Sequence, residues 1–227
     1  MNQILRKPNS LEIVTDASIR TFNDVKRTFG CAGALCINTG EQDYMISQDT
    51  TNNRSELIGV FLGVRMANNM VKMNPGVFDE VVIYSDSKLA VYGLTQWMDD
   101  WVAHMDSNGV LYGSNGKPVK NQELYISILT YLVDNNLAVK FRHCAGHMAL
   151  TYVKLEQANK VFEESNGYSL RPEDIYKVVY YNDVIDRSTR DKLKDVNPNR
   201  YPVLNTSNNY DVMSKFVFPM DYKQYVG

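Results

Sequence analysis

Between Leu11 and Asp16 the chain reads as a short strand that ends on a carboxylate. Two further apolar stretches follow, Cys31 to Ile37 and Tyr44 to Ser47, with the turn-forming Asn38-Thr39-Gly40 between them. Three strands so close together predict an antiparallel meander. From Asn53 to about Met73 the period changes. Leu57, Ile58, Phe61, Leu62 and Met66 recur at spacings of one, three and four, which is helical, and Asn74-Pro75-Gly76 stops the helix.

Val81-Val82-Ile83-Tyr84 is a continuous apolar run, the pattern of a strand buried on both faces, and it runs out at Asp86. A helical pattern continues through Trp97, and Asn, Gly and Ser dominate a loop over 106–118. Gln122 to about Asn135 reads as a helix and Leu137 to His143 as a last strand. After Gly146 the pattern is helical up to about Lys194. The tail from Asn197, with Pro198, Pro202, Pro219 and many Asn, is expected to be irregular and draped on the surface. Three strands first, then helices alternating with two more, predict an α/β fold with a mixed five-stranded sheet flanked by helices.

Composition narrows the class. The 227 residues suffice to bury a sizeable core, and 44% hydrophobic with 22% charged residues is ordinary for a globular protein. No apolar run approaches the ~18 residues of a membrane span, and Met-Asn-Gln opens no secretory signal. Cys31, Cys36 and Cys144 are odd in number and lack zinc-ligand spacing, so a cytoplasmic protein with reduced thiols is expected. Lys plus Arg number 24 against 26 Asp plus Glu, a formal net charge of −2. That balance does not suit a protein that holds nucleic acid by bulk electrostatics. It leaves room for an enzyme that positions such a substrate through local contacts and bound cations.

Three carboxylates stand where the chain changes element: Asp16 after the first strand, Glu56 in the first helical turn and Asp86 after the fourth strand. Strand ends in such sheets are where ligands bind, and acids that converge there repel one another unless a cation lies between them. Oxygen-only ligands suit magnesium or manganese. An Asp at a strand end also serves as a turn former or cap, so position alone does not settle the chemistry.

The local words are more specific. Val14-Thr15-Asp16-Ala17-Ser18, Thr50-Thr51-Asn52-Asn53-Arg54-Ser55-Glu56-Leu57 and Ile83-Tyr84-Ser85-Asp86-Ser87 occur in this order. Lys117-Pro118-Val119-Lys120-Asn121 follows, then Val139-Lys140-Phe141-Arg142-His143-Cys144-Ala145-Gly146-His147. Together they strongly resemble type 1 ribonuclease H from about residue 10 to 147. The resemblance implies the ribonuclease H-like fold and cleavage of the RNA strand of an RNA–DNA hybrid with two divalent ions, Mg²⁺ with Mn²⁺ as a substitute. Asp16, Glu56 and Asp86 match the first three acids of a four-carboxylate site that holds the metal, and His147 matches a mobile histidine that helps the leaving group depart. A protein that keeps the fold but binds nucleic acid without cutting it is the competing reading. The Thr-Thr-Asn-Asn-Arg word speaks against a DNA-cutting transposase or resolvase.

The fourth acid departs from the family pattern. In the family, Gly-His is soon followed by an Asn-Glu-x-x-Asp word that opens the last helix. Here that spacing returns only at Asn182-Asp183-Val184-Ile185-Asp186-Arg187, so Asp186 is assigned as the fourth carboxylate and 148–180 as an inserted helical hairpin. The rival alignment places Ala158-Asn159 there and leaves an amide where the acid belongs. The domain is taken as 1–195, with 196–227 as a C-terminal extension.

Thr51, Asn52 and Asn53 resemble the residues that grip the hybrid, whose 2′-hydroxyls distinguish its RNA strand. Thr51 or Asn52 also suits the cap of the helix beginning near Arg54. Ser18, Lys88, Lys117 and Lys120 fall where neighbouring substrate contacts lie. Trp97 and Trp101, at helical spacing, are expected to be packing residues, and His143 to lie within its strand. The lysine-rich handle of many cellular members is replaced by the acidic Asp99-Asp100 stretch, so the insertion, with Lys154 and Lys160, or the tail is expected to take over part of the grip. A monomer is expected, with the tail as a candidate contact for a replication protein. The departures suggest a phage or mobile-element source, which would place the protein in the host cytoplasm.

Overall fold

The computed structural model describes residues 9–201 and 218–227. Strand β1 (Ser10–Phe22) runs antiparallel to β2 (Arg27–Cys36), which pairs antiparallel with β3 (Gln42–Gln48). On its other side β1 takes β4 (Glu80–Ser85) in parallel, and β4 takes β5 (Lys140–His143). The order β3-β2-β1-β4-β5 is the expected mixed sheet, meander first and parallel strands after. The helices are α1 (Asn52–Met73), α2 (Lys88–Tyr92), α3 (Met98–Ala103), α4 (Gln122–Asp134), α5 (Tyr152–Asn166) and α6 (Pro172–Lys194).

Alternation along the strands sorts side chains into two cores. Leu11 and Ile13 of β1, with Val81 and Ile83 of β4, pack against α1, α3 and α4 on one face. Val14, Val82 and Tyr84 pack against Ala158 and Phe162 of α5 and Val178, Val179 and Ile185 of α6 on the other. Asp16 and Ser18 share the parity of Val14, so their side chains emerge on the α6 face.

Several boundaries differ from the sequence reading. β1 does not end at Asp16: its hairpin with β2 continues to Phe22↔Arg27, and Asp16 lies mid-strand opposite Gly33. Residues 19–21 are exposed, so no apolar period signalled the extension. The pairing of β1 with β4 does stop here, its last pair being Thr15↔Ser85, and Ser85 is level with His143. Asp16 and Asp86 thus both follow the end of the parallel sheet. The helix expected to stop at Trp97 passes instead through a π-helical turn, Gly93–Trp97, into α3. β5 starts only at Lys140, because Val139 bridges Val226.

The stretch after Gly146, expected to be helical and to fold back on itself, is two helices. Gly167, in the left-handed conformation at φ +80°, ends α5, and Pro172 starts α6, where a missing N–H is harmless. The word Asn182 to Arg187 consequently starts at the middle of α6 and does not open it. Of the tail, 202–217, with Pro202, lie outside the described residues. Residues 218–227 are not draped on the surface. Phe218 and Tyr222 are buried in the α1-side core, and Tyr222 and Lys223 both bond Asp99 of α3. Pro219 interrupts the apolar run around Phe218, and Tyr222 stands between Asp221 and Lys223, so no period marks the pair as packing.

Candidate active site

Asp16 is 5% exposed, and its Oδ1 accepts the Ala17 backbone N–H at 2.6 Å. Its Oδ2 is buried and has no hydrogen-bond partner. Burial pushes this carboxyl up to about 9, and the neighbouring Asp86, Asp186 and Glu56 push in the same direction. Four acids from β1, α1, the end of β4 and α6 are therefore near enough to feel one another, although 170 positions separate Asp16 from Asp186 in the chain.

Each of the other three is fixed differently. Asp86 follows β4 and precedes Ser87, the N-cap of α2. Burial and Glu56 raise its carboxyl to about 6, against the lowering pull of His147. Gly146 is what lets the β5–α5 loop approach it, because a Cβ there would lie 2.0 Å from Asp86 Oδ2. Glu56 stands in the second turn of α1, one turn later than expected, since Thr51 is the N-cap. Its oxygens accept from Asn52 Nδ2 and from the buried Ser87 hydroxyl. Asp186 is 4% exposed, and its Oδ2 takes both the Arg190 guanidinium and, at 3.3 Å, His147 Nδ1.

His147 has φ +53°, a conformation rare for a bulky side chain, and its side chain is largely exposed. His143 is its opposite: buried at the end of β5, it bridges Asp86 O at 3.2 Å and the Ser165 hydroxyl at 3.0 Å. Burial, then the Lys88 charge, lowers it to about 4, so a neutral ring anchors the backbone of Asp86.

Among the described residues, no group of three or more His, Cys, Asp or Glu is so placed that it could hold a metal ion as the side chains stand. The reason is visible: Glu56 is turned to Asn52 and Ser87, and Asp186 to Arg190. The donor set nevertheless fits a divalent ion. All the donors are carboxylate oxygens, and the partnerless Oδ2 of Asp16 is a buried acceptor with neighbouring negative charge to neutralise.

The remaining predicted residues fall into two groups. Thr51, Asn52 and Asn53 are exposed at the start of α1, Lys88 is exposed at the start of α2, and Lys117 and Lys120 are exposed in the loop before α4. Ser18 is different: it is buried, and its hydroxyl lies 2.9 Å from that of Thr189 on α6. Trp97 and Trp101 pack together, and Trp101 packs on Tyr125. Sequence reading missed Ser87, Gly146 and Arg190 as supports. Only Arg190 left a readable signal, its i,i+4 spacing from Asp186. Asn159, the rival for the fourth position, uses its amide to bond the Leu170 backbone at both N–H and C=O.

The RNase H family pattern matches residues 8–162, more than half of the chain. The chain belongs to the ribonuclease H family. The match ends within α5, so it includes Asn159 and leaves out α6 with Asp186. The chain is 26% identical over 156 residues to the ribonuclease H of Blochmanniella floridana, covering 68% of this chain and 84% of that protein. It is 33% identical over 135 residues to the ribonuclease H of Mannheimia succiniciproducens, covering 56% and 70%. Among solved structures it is similar to LC9-RNase H1, a type 1 RNase H with the type 2 active-site motif: TM-score 0.45, 20% identity, 79% of this chain and 85% of that one. Membership makes this ribonuclease H an endonuclease. Among its described residues no helix is long and apolar enough to cross a membrane.

Proposed function

We propose that this ribonuclease H cuts the RNA strand of RNA–DNA hybrids using two divalent cations, Mg²⁺ or Mn²⁺, held by Asp16, Glu56, Asp86 and Asp186. The observation that carries the reading is the buried, unpartnered Oδ2 of Asp16 beside three further acids. Bound divalent ions would supply an activated water and stabilise the departing oxygen. The chain's part is to hold the acids in place. Ser87 and Asn52 orient Glu56, His143 holds the Asp86 backbone, and Arg190 pairs with Asp186. His147, with Nδ1 on Asp186, offers its other ring nitrogen to protonate the 3′ oxygen as it leaves.

Thr51, Asn52, Asn53, Lys88, Lys117 and Lys120 are exposed where the hybrid can reach them, Asn52 through the amide oxygen that its bond to Glu56 leaves open, and the amides read its 2′-hydroxyls. Ser18 contributes only if its bond to Thr189 opens. Asp186 is preferred to Asn159 as the fourth ligand because it is buried near Asp16, whereas the Asn159 amide is engaged elsewhere. On this reading α5 and the first turns of α6 are an insertion within a domain spanning 1–195.

Cleavage of an end-labelled hybrid with Mg²⁺ or Mn²⁺ tests it, with duplex DNA and duplex RNA as controls. Hybrid-only cutting is expected, abolished by Asp86→Asn and reduced at least ~100-fold by Asp186→Asn. An unaffected Asp186→Asn variant would return the fourth position to Asn159. A folded wild type that cuts with neither metal would leave a binding protein.

A further inference from the structure

The start of α5 stands clear of the body. From Ala149 to Gln157 every residue is exposed except the half-buried Leu155, and the first buried residue is Ala158. A helix end so detached is ordinarily polar, yet this one exposes Leu150, Tyr152 and Val153. Tyr152, at 77%, is the most exposed large apolar side chain among the described residues. Beside it Lys154 bonds the neutral Gln157 amide, and Lys160 is exposed further along. Glu156 interacts with the Tyr152 hydroxyl and leaves the ring exposed.

This strip is continuous with the catalytic loop. Five residues separate His147 from Tyr152, so the two Cα atoms are at most about 18 Å apart. That is roughly five steps of a nucleic-acid strand at about 3.4 Å each. A hybrid seated at the acids and extending toward α5 needs only a few base pairs to span that distance. The net charge of −2 means that bulk attraction cannot hold such a substrate, so affinity must come from particular contacts. An exposed ring, flanking aliphatic side chains and adjacent lysines suit the sugars and phosphates of a duplex flank, contacts that position the substrate whatever its sequence.

We infer that the projecting start of α5, with the loop joining it to His147, is a second nucleic-acid contact that grips the substrate several nucleotides from the cut; the inference rests on the hybrid-cleaving function above. Steady-state cleavage by the full chain tests it, comparing hybrids of about 20 and about 8 base pairs cut near their centres. Tyr152→Ala is expected to raise KM on the long hybrid five- to tenfold, leave kcat unchanged and leave both constants unchanged on the short one. Tyr152→Phe should retain the wild-type KM, because the ring and not the hydroxyl makes the contact. An unchanged KM on the long hybrid overturns the inference. So does an equal loss on both lengths, which would mark a structural disturbance. A wild-type dimer that Tyr152→Ala dissociates without altering KM also overturns it, assigning the strip to self-association. If the wild type cuts neither hybrid, the functional reading fails first and this one with it.

Discussion

At Asp86, burial and the nearby Glu56 raise the carboxyl from 3.8 to about 6. Between those values the folded chain keeps a proton that the unfolded chain has lost. Stability of the metal-free protein therefore falls as pH rises through that window. Asp16, raised to about 9 chiefly by burial, extends the decline to higher pH. This is the opposite of a salt-bridged carboxylate, which loses stability on acidification. Asp86→Asn removes the charge without removing the shape. It is expected to raise the melting temperature of the metal-free protein by several degrees at pH 8 and to change it little at pH 4, where the wild-type carboxyl is already protonated. About 2–4 °C per kcal/mol is the scale for a chain of this size. Melts with chelator at the two pH values check it, and equal shifts at both would assign the gain to packing instead.

At the scale of elements, the site depends on how closely α6 approaches the hairpin of β1 and β2. Gly33, paired with Asp16 across the hairpin, makes room for it: a Cβ there would lie 2.8 Å from both Ile185 Cδ1 and Thr189 Cγ2. An alanine needs both the tip of Ile185 and the Thr189 methyl to turn aside. A valine adds two more carbons that these shifts do not clear, and it must lift the stretch of α6 that carries Asp186. Gly33→Val is expected to cost about 1–3 kcal/mol of stability and ~100-fold in hybrid cleavage, with Gly33→Ala mild on both counts. Wild-type cleavage by a folded Gly33→Val would show that this contact does not set the position of Asp186. The same contact explains what could be read in advance. α1, β4 and α4 were legible because an unbroken apolar period runs through each and breakers such as Asn74-Pro75-Gly76 bound the first. Asp16, Glu56 and Asp86 stood in recognisable words, whereas Asp186 was marked only by its spacing from Asn182. The burial that brings Asp186 beside Asp16, the approach of Gly146 to Asp86 that leaves no room for a Cβ and the grip of Ser87 on Glu56 are tertiary facts with no local signature.

For the molecule as a whole, the last ten residues behave as a closing clamp on the side of the sheet remote from β3. Val226 bridges Val139, and the Phe141 N–H donates to the Gly227 carbonyl at 3.0 Å, so the free edge of β5 is partly paired. Phe218 and Tyr222 seat their rings in the α1-side core, 5.6 Å apart at an edge-on angle, and the Tyr222 hydroxyl reaches Asp99. None of these residues touches the acids. The clamp should therefore govern stability and leave chemistry alone. Phe218→Ala removes a buried ring and leaves a cavity, for which about 3 kcal/mol is the expected loss. On this chain that lowers the melting temperature by roughly 6–12 °C. Hybrid cleavage measured well below the melting range should stay within about twofold of wild type, because α1, β1, β4 and α6 keep their packing. A large fall in kcat at low temperature, in a variant whose melt is still cooperative, would tie the clamp to the site through α3 and α4 and make it part of the catalytic apparatus.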